Sequence, residues 1–136
     1  MARVVVDANR IFSALLRDGA ARHAPLTSKA MLFAPVFLLQ EIEKHTPEIA
    51  RRSAKAPADV AALLAQLRPH IHWVATETIR ASVPAAKRAL GSVDLKDVPY
   101  LACALAVRAD AIWSLDLDFD RQALVPRIPH PDAEIA

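Results

Sequence analysis

Arg3-Val4-Val5-Val6-Asp7-Ala8-Asn9 is the stretch on which the fold of this chain turns. Arg3 to Val6 is β-branched and apolar without alternation, the pattern of a central parallel strand buried on both faces. Asp7 then falls at its carboxyl end. From Asn9 the period changes: Ile11, Phe12, Leu15 and Leu16 recur at helical spacing until Asp18-Gly19 supplies a stop. A buried strand that runs straight into a helix is the opening unit of an α/β fold.

Outward from that unit the same alternation repeats. Arg22 to Lys29 reads as a shorter helix leading to a second buried strand, Met31-Leu32-Phe33-Ala34, punctuated by Pro35. The helix from Val36 to His45 carries Glu41 on a face it shares with apolar residues. Thr46 to Pro57 is a short helix or a connection, and Pro57 opens an Ala/Leu-rich helix that ends before Pro69. Ile71 to Val74 is a third strand. Thr76 to Leu90 reads as helical with a break or kink at Pro84, ended by Gly91-Ser92. Val98 to Val107 is an almost wholly apolar helix with Pro99 in its first turn, which places Asp97 at the amino end, where the helix dipole favours an ionised carboxylate. Ala111 to Ser114 is the next strand and Asp116 follows it. The tail from Val125 holds Pro126, Pro129 and Pro131, so any strand there is short and at an edge. The expectation is one α/β domain over residues 1–136, a parallel sheet flanked by helices, taking its ligands at the carboxyl ends of the strands.

Composition narrows the function classes. The chain has 136 residues, 54% of them hydrophobic, enough for a continuous core. Its 17 Lys+Arg against 15 Asp+Glu leave a net charge of +2, too small an excess to argue for a nucleic-acid partner by itself. Cys103 stands alone in an apolar stretch, the setting of a small buried residue, and fits a reducing compartment. The apolar runs Ala30 to Leu39 and Val98 to Val107 are far shorter than the roughly 18 residues of a membrane span, and Asp7 interrupts the amino-terminal run where a signal peptide would need it apolar. A soluble, cytoplasmic protein with no membrane association is expected.

The acids carry the chemistry. Asp7 and Asp116 follow strands, while Glu41, Asp94 and Asp97 lie beside apolar helical segments. Taken singly, each has an ordinary role as a cap, loop or solvated helix residue. Gathered together, they would repel one another unless protonated or joined by a divalent cation, and oxygen-only ligands select Mg²⁺ or Mn²⁺ over zinc.

Other motifs fail on inspection. Asp116-Leu117-Asp118-Phe119-Asp120 imitates an EF-hand loop, but Arg121 stands where Gly is required and Arg127 where Glu is required. Asp118 and Asp120 are therefore outer acids of the site or simple helix-start residues. His70 and His72 have zinc-like spacing without further ligands nearby, and read as partly exposed structural histidines. No serine has a G-x-S-x-G context, and with 2 glycines there is no phosphate-binding glycine loop. A phosphotransfer domain with Asp7 as nucleophile would need Asp-x-Asp, and the chain has Asn9 instead. Arg10, Arg17 and Arg22 near the first helix either contact a polyanionic backbone or form a solvated helix face.

Val5-Val6-Asp7-Ala8-Asn9, Leu38-Leu39-Gln40-Glu41-Ile42, Asp94-Leu95-Lys96-Asp97-Val98-Pro99-Tyr100 and Ile112-Trp113-Ser114-Leu115-Asp116-Leu117-Asp118-Phe119 together resemble the PIN-domain nucleases, in the family's order and spacing and over nearly the whole chain. The resemblance implies a PIN-like domain with a metal-dependent ribonuclease activity of the VapC toxin kind, using Mg²⁺ or Mn²⁺. It implies Asp7, Glu41, Asp97 and Asp116 as the principal acids, Asp94 and Asp118 as auxiliary metal ligands, and Asn9 and Ser114 as polar neighbours. It further implies an RNA substrate, a cognate antitoxin and a homodimer. Leu115 departs from the family, which often has Asn there. The competing expectation is a non-catalytic PIN-like domain that binds RNA or protein.

Overall fold

The computed structural model describes residues 1–90 and 95–135. Its strands, β1 (Arg3–Val6), β2 (Met31–Pro35), β3 (Ile71–Val74), β4 (Ala111–Trp113) and β5 (Arg127–Ile128), pair in parallel in the order β3-β2-β1-β4-β5. Val4, Val5 and Val6 are fully buried, as a central strand covered on both faces requires. Val5 registers with Phe33 on one side and Ile112 on the other, so β1 is the axis of the sheet.

The helices fall into two packs. Helix α1 (Ala8–Leu16) contacts α2 (Ala20–Thr27), α4 (Thr46–Ser53) and α5 (Pro57–Leu67). Helices α6 (Thr76–Arg80) and α7 (Val83–Leu90) pack on α8 (Val98–Ala106), which lies against β1, β2 and β4. Helix α3 (Val36–Lys44) follows β2 directly and packs on β2 and β3. Buried α8 presents Leu101 together with Ala102, Cys103 and Ala104, the last three small residues that let it approach the sheet closely. No described helix is long and apolar enough to cross a membrane.

Several local expectations need adjustment. The segment from Thr76 to Leu90 is two helices, and the break falls at Ala81-Ser82 instead of at Pro84. Pro84 sits second in α7, where its missing N–H costs nothing, and the Ser82 carbonyl accepts from the Ala86 N–H at 3.1 Å to start the new helix. Gly19 does not close α1, which stops at Leu16; with φ +78° it opens α2. Gly91-Ser92, the expected helix stop, and Asp94 lie outside the described residues.

Candidate metal centre

At the centre of the sheet β1 and β4 are neighbours, but the chain leaves β1 toward β2 on one side and β4 toward β5 on the other. Such a switch point opens a crevice at the carboxyl ends of the two strands. Asp7 ends β1 and caps α1, its Oδ1 accepting the Ala8 N–H at 2.9 Å. The Asp7 N–H continues the ladder to the Trp113 carbonyl at 3.0 Å. Ser114, fully buried, ends β4, and its hydroxyl donates to Asp7 Oδ2 at 2.7 Å. The same Ser114 oxygen accepts the Asp116 N–H at 2.9 Å, and Asp116 Oδ1 in turn accepts the Asp118 N–H at 2.9 Å. A continuous hydrogen-bonded path therefore fixes the acids of the two strand ends against each other.

Asp97 enters from the amino end of α8 and is 6% exposed. Carboxylate oxygens of Asp97, Asp116 and Asp118 lie within 4.8 Å of one another. Asp97 and Asp116 also line a cleft of about 600 Å³ whose walls include Asp7, Asn9 and Glu41. Glu41 is the exposed acid of the cleft; it lies outside the close group, and its Oε2 is 3.2 Å from His45 Nε2.

Electrostatics agree with the geometry. Burial pushes the Asp7 carboxyl above its ordinary value, the Ser114 and Ala8 hydrogen bonds pull it back, the Asp116 charge pushes it up and Arg10 pulls it down. Burial and then the Asp7 charge hold the Tyr100 phenol well above its usual range, so it stays a hydrogen-bond donor. The chain has thus placed a desolvated carboxyl beside another acid, an arrangement a divalent cation would favour. Every donor in the set is a carboxylate oxygen, which fits Mg²⁺ or Mn²⁺.

The remaining candidates separate cleanly. Phe119 is fully buried and anchors the 3₁₀ turn Leu117–Arg121, and the acids on either side of it diverge. Asp118 joins the close group, whereas both Asp120 oxygens accept from Arg127 at 3.0 and 3.1 Å. Arg22 is occupied with the end of α1, donating to the Ala14 carbonyl at 2.9 Å and pairing with Asp18, so it caps a helix. His72 stacks on Phe33 with centroids 5.1 Å apart, and His70 is exposed, as structural histidines.

Lys96, Phe37 and Tyr100 also line the cleft and were missed from sequence. A signal existed for two of them. Tyr100 follows Asp97 by one helical turn on α8, and Phe37 precedes Glu41 by one turn on α3, so each shares a face with an acid.

A family model described as PIN domain matches residues 5–124, an interval that takes in Asp7, Glu41, Asp97, Asp116 and Asp118. No curated protein matches the chain.

Proposed function

This chain belongs to the PIN-domain family, and from that premise we propose that it is a Mg²⁺- or Mn²⁺-dependent endoribonuclease hydrolysing RNA phosphodiester bonds. The observation that carries this reading is the close set of Asp97, Asp116 and Asp118 oxygens, with Asp116 tied to Asp7 through Ser114, beside a cleft that Asp7, Asp97 and Asp116 line. Asp7, Glu41, Asp97 and Asp116 are the catalytic set, Asp94 and Asp118 auxiliary ligands, and Asn9 and Ser114 polar supports. When bound, the ion would supply a more acidic water and neutralise charge on the phosphoryl oxygens. The protein's own contribution is positional. Ser114 and the Ala8 N–H hold both Asp7 oxygens, the start of α8 presents Asp97, and the turn around Phe119 sets Asp118 beside Asp97 and Asp116.

The test is incubation of the purified protein with single-stranded RNA in Mn²⁺, Mg²⁺ or EDTA, beside Asp97→Asn and Asp116→Asn. Metal-dependent cleavage lost in both variants is expected. RNA binding without metal-dependent cleavage would identify the non-catalytic alternative. On the family resemblance we extend the proposal to a cytoplasmic, homodimeric toxin of a type II toxin-antitoxin pair. Its cognate antitoxin would block the acidic cleft. Expression in a host cell should arrest growth, and co-expression of a small protein encoded immediately upstream should relieve the arrest.

A further inference from the structure

Metal binding accounts for the acidic wall of the cleft and leaves its aromatic wall unexplained. Phe37 stands in the first turn of α3, half-buried, lining the same space as Asp7, Asp97 and Asp116. Its ring meets Tyr100 edge-on, centroids 6.1 Å apart and planes at 67°. Tyr100 is 5% exposed and lies one turn beyond Asp97, so the partner that braces Phe37 belongs to the helix that carries an acid of the site. An edge-to-face pair of this kind fixes ring orientation. A partly open ring, held in place next to carboxylates, forgoes burial that a core phenylalanine would have.

The cleft also poses a problem for any RNA ligand. Carboxylates repel the phosphates that usually supply most nucleic-acid affinity, and Lys96 is the one basic side chain among the described residues lining it. A bound divalent ion would offset that repulsion at the scissile phosphate itself, but with so few basic side chains here a flanking nucleotide gains little from backbone contacts, and an aromatic side chain offers the contact every base can make.

We propose that Phe37, braced by Tyr100, is the platform on which a nucleobase next to the scissile phosphate stacks, making Phe37 the residue that selects an unpaired nucleotide at the cleavage point. The inference rests on the ribonuclease reading for its substrate. Stacking is tolerant of base identity, so the platform confers a strong preference for unpaired over paired RNA and a weak one among bases. In a duplex both faces of the base are already covered by its neighbours.

The experiment uses a short single-stranded oligoribonucleotide, intact or with one abasic position scanned along it. Binding is read by fluorescence anisotropy with Ca²⁺ in place of Mg²⁺, and cleavage is read in Mn²⁺. Phe37→Leu should weaken binding of the intact strand by roughly 5- to 150-fold, and Phe37→Trp should retain it. At one position the abasic strand should cost the natural protein a similar factor and cost Phe37→Leu almost nothing further, a coupling that a purely structural role would not produce. Should Phe37→Leu fail to fold, Phe37→Trp and the abasic series on the natural protein carry the test. Unchanged binding by Phe37→Leu, or an abasic penalty undiminished in that variant at every position, overturns the platform. Coupled binding without Mn²⁺-dependent cleavage upholds the platform and removes the ribonuclease reading.

Discussion

The Ser114 hydroxyl donates to Asp7 Oδ2 over 2.7 Å, joining residues 107 positions apart in the chain. Because Ser114 also accepts the Asp116 N–H, one small side chain sets the distance between the acids that end neighbouring strands. Ser114→Ala leaves a buried carboxylate oxygen and a backbone N–H without that partner. A loss of about 1–3 kcal/mol in urea unfolding is expected, together with weaker Mn²⁺ binding and slower RNA cleavage. Unaltered metal affinity would mean that Ser114 does not position Asp7.

Asp7 should make the metal-free protein less stable as pH rises. Burial, the largest cause, raises its folded pKa above the ordinary 3.8. Its protonated form is therefore the one that folding favours. That contribution is fully present below 3.8 and is lost as pH climbs through the raised folded value. Asp7→Asn should remove this loss, raising the melting temperature at pH 7 in EDTA while abolishing cleavage. Equal melting temperatures for the two proteins across pH 4 to 7 would contradict the burial argument.

Mg²⁺ or Mn²⁺ should stabilise the natural protein by mass action, by about 2.7 kcal/mol at a concentration one hundred times the dissociation constant. Asp118→Asn should shrink the accompanying thermal shift, since Asp118 belongs to the close oxygen set. The absence of any shift at millimolar metal in the natural protein would count against the metal centre as a whole.

Arg127 gives a control for that experiment. It holds both Asp120 oxygens and donates to the Ser114 carbonyl at 3.1 Å, so it braces the edge strand against the strand end. Asp120 is 49% exposed, which limits the pair to about 1 kcal/mol. Asp120→Asn should lower stability by no more than that and leave the metal-induced thermal shift intact. A reduced shift would place Asp120 in the metal centre after all.

Cys103 should be inert in the folded state. It is fully buried on α8, and burial pushes its thiol up to about 12. A thiol reagent at pH 8 should leave the native protein unmodified and label one site once guanidinium unfolds it. Rapid labelling of the native protein would show that α8 opens away from the sheet.

The limits of sequence reading are visible in particular residues. The buried run Val4 to Val6 and the apolar stretch after Asp97 announced a central strand and a core helix, because those patterns are local and each element's period is written in its own residues. The break before Pro84 was misplaced by a few residues, since a proline is as comfortable in a helix's first turn as it is disruptive farther in. Asp118 and Asp120 could not be told apart: they alternate around Phe119 in one short turn, and Arg127, reached only through β5, claims one of them. Phe37 stands in the cleft, one helical turn from Glu41 on α3.

By itself the sequence determined that strands and helices alternate, that Asp7 and Asp116 follow strands and that Asp97 opens a helix, all consequences of period, capping and proline geometry within a few residues. Only the tertiary structure decided that β4 lies beside β1, that Ser114 therefore reaches Asp7, and that acids and an aromatic pair share one cleft. Strand order is set by which buried faces can be covered simultaneously across the whole chain, a global condition that no local pattern encodes.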